Sequence, residues 1–188
     1  MAGPRKAPGV RKQEILQTIA MMLEQPTGEK ITTATLAAKM ELSEAALYRH
    51  FASKAQMFEG LIGFIEETIF SLANQISASV QGKEAAAQIV AMLLSFAEKN
   101  PGMARILIGE ALVHEDERLG RRIDQLFDRL ELTFKQALKS NDPLDTLPAA
   151  QANALLAYVI GRWQLFVRSG FKRKPTQGWH DHAQFLLR

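Results

Sequence analysis

The sequence predicts an all-α protein in two parts, a three-helix head near the N-terminus and a larger helical body. Three observations predict it. Apolar residues recur at steps of three and four from Ile15 to Leu138, the spacing that lines them up on one face of a helix. Pro-containing breaks at Pro26–Gly28, Asn100–Gly102 and Ser140–Pro148 punctuate those stripes. The stretch Ile31–Lys54, ITTATLAAKMELSEAALYRHFASK, reads as two short helices around a tight turn.

Residues 1–10 contain two Pro and two Gly beside Arg5 and Lys6, a composition expected to be disordered when free. Either a basic arm lying along DNA or a solubilising leader accounts for it. Arg11 to Gln25 is the first helix, with Ile15, Ile19, Met22 and Leu23 facing inward and Pro26-Thr27-Gly28 ending it. Its expected role is to close a three-helix core over the pair that follows.

In that pair, Thr32 or Thr33 caps the first member, because a side-chain oxygen accepts a backbone N–H left unpartnered in the opening turn. Leu36, Ala37 and Met40 point inward, Met40-Glu41-Leu42 makes the bend, and Ser43 caps the second member. Leu47 and Phe51, four apart, anchor that second helix. Glu44, Ala45, Tyr48, Arg49 and His50 then project outward on a slim rod that suits the major groove of DNA. A plain helical hairpin with a solvated face is the alternative from spacing alone.

The words narrow this choice. Thr-Thr-Ala-x-Leu-Ala-Ala followed by Ser-x-x-x-Leu-Tyr-x-His-Phe-x-x-Lys resembles the DNA-binding domain of TetR-type regulators. The resemblance implies that Tyr48 and Lys54 hold phosphates. It also implies that Thr33, Ala45, Ala46, Arg49 and His50 lie at or near the groove; the caps Thr32 and Ser43, the outward Glu44, and Arg5 and Lys6 on the arm complete the expected DNA-binding set. Glu41 departs from the pattern, standing where the turn often has Gly, which tolerates positive φ.

Charge agrees with this division. Residues 1–54 carry eight Lys/Arg against five Glu, while the other 134 residues carry 15 basic and 15 acidic side chains. The net charge of +3 therefore lies at the head, as expected of a phosphate-binding module on a neutral body. A solvated basic tail would give the same number.

Ser53 caps the next helix, which runs to about Val80 with Met57, Phe58, Leu61, Ile62, Ile65 and Ile69 inward. Starting in the head and ending in the body, it links the two mechanically. Phe64 and Phe70 fall off that stripe and are assigned to packing against neighbours. Lys83 to Lys99 is apolar on nearly every side and is expected at the centre of the body. Pro101 opens a short helix through Leu112. Residues 116–139 form a long amphipathic helix whose polar face, Arg121 to Glu131, is expected to be mostly solvated and salt-bridged. After the linker at 140–148, Ala149 to Gly170 is again apolar on most sides. A twofold interface covers such a helix, with Ala157 and Gly161 allowing close approach of backbones; burial within one chain is the alternative. A last short helix is placed around Trp179, Phe185 and Leu186. The domain division is 1–10, 11–54 and 55–188.

There is no Cys, which excludes disulfides, thiol catalysis and Cys-ligated zinc. No run of about 18 apolar residues is present, and no apolar segment follows the basic N-terminus, so a cytosolic protein is expected. His180 and His182 fall on different helical faces and would not converge on a metal. No phosphate loop or nucleophile elbow occurs. No catalytic residue, metal or cofactor is assigned.

Further words, EILQ (14–17), MLE (22–24), FIE (64–66), NPG (100–102), RIL (105–107), RIDQLFDR (122–129) and FVRSGFKRKPT (166–176), are similar to the nucleoid occlusion branch of the TetR family. That resemblance implies a homodimer on palindromic chromosomal sites, with two or more dimers on some of them. It also implies association with the nucleoid, and capture of the C-terminal tail of FtsZ that breaks up its filaments. The tail is then expected between the helices at 53–80 and 83–99, with Phe64, Lys99 and Asn100 at the matching positions and Met92 of the second helix added to the expected contacts. Leu72 stands where a basic residue is familiar. Ordinary packing of Phe64 and a helix-end charge at Lys99 remain the alternative from the residues themselves. Two further functions stay open: a ligand-responsive repressor, motivated by the apolar body, and a helical interaction protein without DNA binding.

Overall fold

A computed structural model describes residues 9–25, 31–139 and 146–188. The expectations for Arg5, Lys6, the 26–28 break and the 140–145 part of the linker lie outside them. Nine α-helices are assigned among the described residues: α1 (Val10–Leu23), α2 (Thr33–Lys39), α3 (Glu44–Tyr48), α4 (Lys54–Ser79), α5 (Gly82–Lys99), α6 (Pro101–Leu107), α7 (Glu117–Ala137), α8 (Leu147–Arg168) and α9 (Trp179–Leu186). A 3₁₀ turn, Glu110–Leu112, lies between α6 and α7.

Helices α1 to α3 make the head. Ile15, Ile19 and Leu23 of α1 are buried, as are Leu36 and Ala37 of α2, Leu47 of α3 and Phe51 beyond it. Thr32 caps α2: its hydroxyl oxygen accepts the Thr35 N–H while the Thr35 hydroxyl oxygen accepts the Thr32 N–H, both at 3.0 Å. The turn out of α2 is a Schellman turn. Leu42 N–H reaches the Ala37 carbonyl at 2.9 Å and Glu41 N–H reaches Ala38 at 3.1 Å. Glu41 sits between them at φ 54°, so the positive-φ geometry persists without glycine, at the cost of crowding around its Cβ. Glu41→Gly is expected to raise the stability of the head by about 1 kcal/mol, read from the urea midpoint at unchanged m; a lower midpoint would show that the turn is unstrained.

Helix α3 is shorter than the spacing suggests. It ends at Tyr48, and Arg49 and His50 form a turn in which His50 N–H bonds the Leu47 carbonyl at 2.9 Å. The residues after Phe51 belong to the next cap: Ser53 Oγ accepts the Gln56 N–H at 3.2 Å and opens α4.

Helix α4 runs from the head into the body. Met57, Phe58, Leu61, Ile62, Ile65, Ile69 and Ala73 are buried and belong to one core continuous from Ile15 to Val167. Head and body share apolar side chains, so rotating one displaces the other. In the body α5 returns beside α4, and α7 and α8 close the bundle. Trp163 is fully buried and donates its indole N–H to the Leu93 carbonyl at 3.1 Å, the partner a buried indole requires. The ring of Phe127 lies beside it, centroids 6.4 Å apart.

Two expectations about the body need correction. The helix opened by Pro101 stops at Leu107, because Gly109 turns the chain at φ 77° before the 3₁₀ turn. The polar face of α7 is partly an interhelix seam: Arg122 pairs with Glu66 of α4 at 2.8 Å, and the Arg129 guanidinium lies 3.9 Å from the centroid of the Phe70 ring. The last short helix is in place as α9, with Trp179 and Leu186 packed on the core and Phe185 71% exposed.

Candidate nucleic-acid interface

With Leu47 and Phe51 buried, the opposite side of the second head helix is open. Glu44, Ala45, Tyr48 and Arg49 are exposed, Tyr48 at 44%, while Ala46 and His50 are half-buried. Ser43 Oγ accepts the Ala46 N–H at 3.2 Å and fixes the first turn. The Thr33 hydroxyl donates to the Glu44 carboxylate, tying the start of α2 to the start of α3. Thr33 and Glu44 are thus engaged with each other, while Ala45, Tyr48 and Arg49 stay exposed. Lys39 lies exposed at the end of α2, and Lys12 sits 5.5 Å over the ring of Phe51.

Lys54 is placed differently. It opens α4 beside α3, 5.5 Å over the ring of Phe58, and its ammonium pairs with Glu115, which precedes α7. The Lys54 side chain is 21% exposed and that of Glu115 12%.

A second surface lies along α4 and α5. Phe64 and Leu72, eight residues apart on α4, are 45% and 37% exposed. Met92 of the neighbouring α5 is half-buried and Lys99 is exposed at its end. Asn100 is half-buried and donates its amide to the Phe96 carbonyl at 2.7 Å. Glu98 faces the other way: the Thr176 hydroxyl and Lys174 hold its carboxyl below the usual carboxylate range. Because α4 and α5 join through a short turn, Phe64 and Lys99 stand about equally far from that turn.

Sequences of known proteins match this architecture in both parts. The family described as bacterial regulatory proteins, tetR family, matches residues 15–61, and the family described as tetracyclin repressor-like, C-terminal domain, matches residues 83–188. The nucleoid occlusion factor SlmA of Colwellia psychrerythraea is 48% identical over 185 residues, covering 94% of this chain and 92% of its own. That of Alteromonas mediterranea is 49% identical over 177 residues, covering 91% of each. The chain belongs to the SlmA group of the TetR family. The SlmA of Aliivibrio fischeri is likewise 48% identical over 196 residues, covering 99% of this chain and 97% of its own. Among solved structures, the regulator FadR of Bacillus subtilis with stearoyl-CoA shares the fold at TM-score 0.71 and 12% identity, covering 93% of this chain and 97% of its own. A putative TetR-family regulator of Mesorhizobium loti does so at TM-score 0.66 and 17% identity, covering 97% and 96%.

In this TetR-family chain the sequence left the joint between head and body unread. Arg105, on α6, is buried and donates to the Leu23 carbonyl at 3.0 Å and the Gln25 carbonyl at 3.3 Å, closing the end of α1, while Glu110 neutralises it at 2.8 Å. Gly102 lies against the Ala20 carbonyl of the same helix. Asp116 caps α7, and its hydrogen bonds from Arg118 lower its pKa to about 2. Of the histidines, His182 Nδ1 lies 2.8 Å from the Tyr158 hydroxyl and His180 Nε2 lies 3.3 Å from the Gln184 amide.

Proposed function

We propose that this protein is a DNA-bound nucleoid occlusion factor. As a twofold dimer it reads palindromic chromosomal sites with α3 and presents the α4–α5 surface to the C-terminal tail of FtsZ, preventing polymerisation over the nucleoid. The observation that carries this reading is the open face Ala45–Tyr48–Arg49 on a helix anchored by Leu47 and Phe51. The name of the relatives at 48–49% identity supports the division role. Exposed Phe64 on α4, half-buried Met92 on α5 and the cation Lys99 beside Asn100 are the chemistry that suits an acidic and partly hydrophobic peptide, while Leu72 supplies no cation of its own. Dimerisation is assigned to α8: Ala154, Ala157, Gly161 and Leu165 are exposed along one face, and a Cβ at Gly161 would meet no atom within 4 Å.

The test is selection of bound duplexes from random DNA, followed by sedimentation of FtsZ polymers with and without the selected duplex. Loss of polymer only when duplex is present is expected; unchanged polymer with the protein fully on DNA would end the division role. Lys54→Ala and Tyr48→Phe are expected to weaken binding to every sequence, and Lys54→Ala to flatten its salt dependence by about one phosphate contact. Arg49→Ala is expected to relax base preference by about 1–3 kcal/mol, measured by repeating the selection; an unaltered preferred site would make Arg49 a phosphate contact.

One observation favours a second reading as a ligand-responsive repressor. A concavity of about 720 Å³ at the far end of the body is lined by polar groups, among them Asn74, Gln81, Thr133, Gln136 and Lys139. Release of the selected duplex by a metabolite extract would support it.

A further inference from the structure

The head carries the chain's excess positive charge, yet one of its cations is already neutralised from outside. Arg11 pairs within the head, with Glu14. Lys54, the first residue of α4 and six residues beyond Tyr48, instead pairs with Glu115 across 61 residues of sequence. Glu115 comes from the segment between α6 and α7, from which Glu110 also clamps Arg105 against the end of α1. One stretch of body backbone thus grips the head at two places.

We propose that Glu115 sets the DNA affinity of the head by competing with phosphate for Lys54. In the free protein the carboxylate occupies the ammonium; on a duplex Lys54 exchanges it for a backbone phosphate and Glu115 is released. This inference rests on the α3 face being the DNA interface. The physical basis is that both partners are anionic oxygens and a lysine ammonium is a compact point charge able to pair with either. Duplex DNA offers one phosphate charge per about 1.7 Å of its axis, so the exchange proceeds when the head docks. Each docking must nevertheless break a mostly desolvated ion pair, which lowers affinity equally for all sequences. Glu115 contacts no base in this scheme and acts only through Lys54.

The experiment is a mutant cycle on the full chain, with binding to selected and random duplexes measured over a salt series. Glu115→Gln is expected to tighten both duplexes about five- to tenfold. In a Lys54→Met background the same change is expected to do nothing. Equal tightening in both backgrounds would mean that Glu115 merely repels DNA at long range and would overturn the proposal. So would no tightening by Glu115→Gln while Lys54→Met alone weakens binding. If Lys54→Met leaves affinity and salt slope intact, the assignment of Lys54 to phosphate falls, and this inference falls with it. A second measurement needs no variant. Zero-length carbodiimide coupling is expected to join Lys54 to Glu115 in the free protein, and saturating duplex is expected to abolish the product. An undiminished cross-link on saturated DNA would overturn the exchange even if Glu115→Gln proved too unstable to assay.

Discussion

Gly102→Ala is expected to destabilise the protein by about 3 kcal/mol, more than its single added methyl group suggests. A Cβ built there would stand 2.0 Å from the Ala20 carbonyl oxygen, 3.0 Å from its carbon and 3.1 Å from Leu23 Cβ. The first two are backbone atoms of α1 and cannot rotate away. Either α1 or α6 must shift by more than an ångström, and the shared core resists that. At this chain length the loss corresponds to a fall of roughly 6–12 °C in Tm. Because α1 supports α2 and α3, DNA affinity is expected to fall as well. Gly120→Ala is the control. It lies inside α7 with nothing within 4 Å of its Cβ, so the same substitution should stabilise by about 1 kcal/mol through helix propensity. Equal midpoints for the wild type and Gly102→Ala would show that α1 and α6 are not locked together.

Arg105→Ala is expected to cost about 3–4 kcal/mol by a different route. The substitution leaves the Leu23 and Gln25 carbonyls at the end of α1 without their donor and strands the Glu110 carboxylate. Arg105→Lys keeps the charge but presents no planar fork, so it should recover the pairing with Glu110 and only one of the two carbonyls. Glu110→Gln should cost about 1 kcal/mol or less, since Glu110 is 42% exposed and water replaces much of the interaction. Denaturant midpoints of the three variants give the ranking. A larger loss for Glu110→Gln than for Arg105→Ala would mean that the charge pair, and not the closing of α1, holds the joint. Combined with Gly102→Ala, Arg105→Ala should cost less than the sum, because both act on the same contact between α1 and α6.

The two variants bear on function through geometry. Twofold recognition requires two α3 helices held about one turn of DNA apart. That separation depends on the angle each head makes with its body. Gly102 and Arg105 set the angle from α1, and α4 sets it from below.

Much of this was legible in the amino-acid order. The stripe Met57 to Ile69, the anchors Leu47 and Phe51, and the caps Thr32, Ser43 and Ser53 are local patterns, and each appears in place. The open side of α3 was legible for the same reason: once two residues four apart point inward, the rest must point out. Tertiary structure alone decided the joint. Gly102 read as a breaker after Pro101, whereas its role is to let a carbonyl of α1 approach. Arg105 read as one residue of a short word, and Glu115 drew no assignment at all. Their partners lie 61 to 82 residues away, and periodicity carries information over a few turns only. Helix, face and cap follow from neighbours in sequence, while the pairing of one buried cation with one distant oxygen follows from how the finished helices cross.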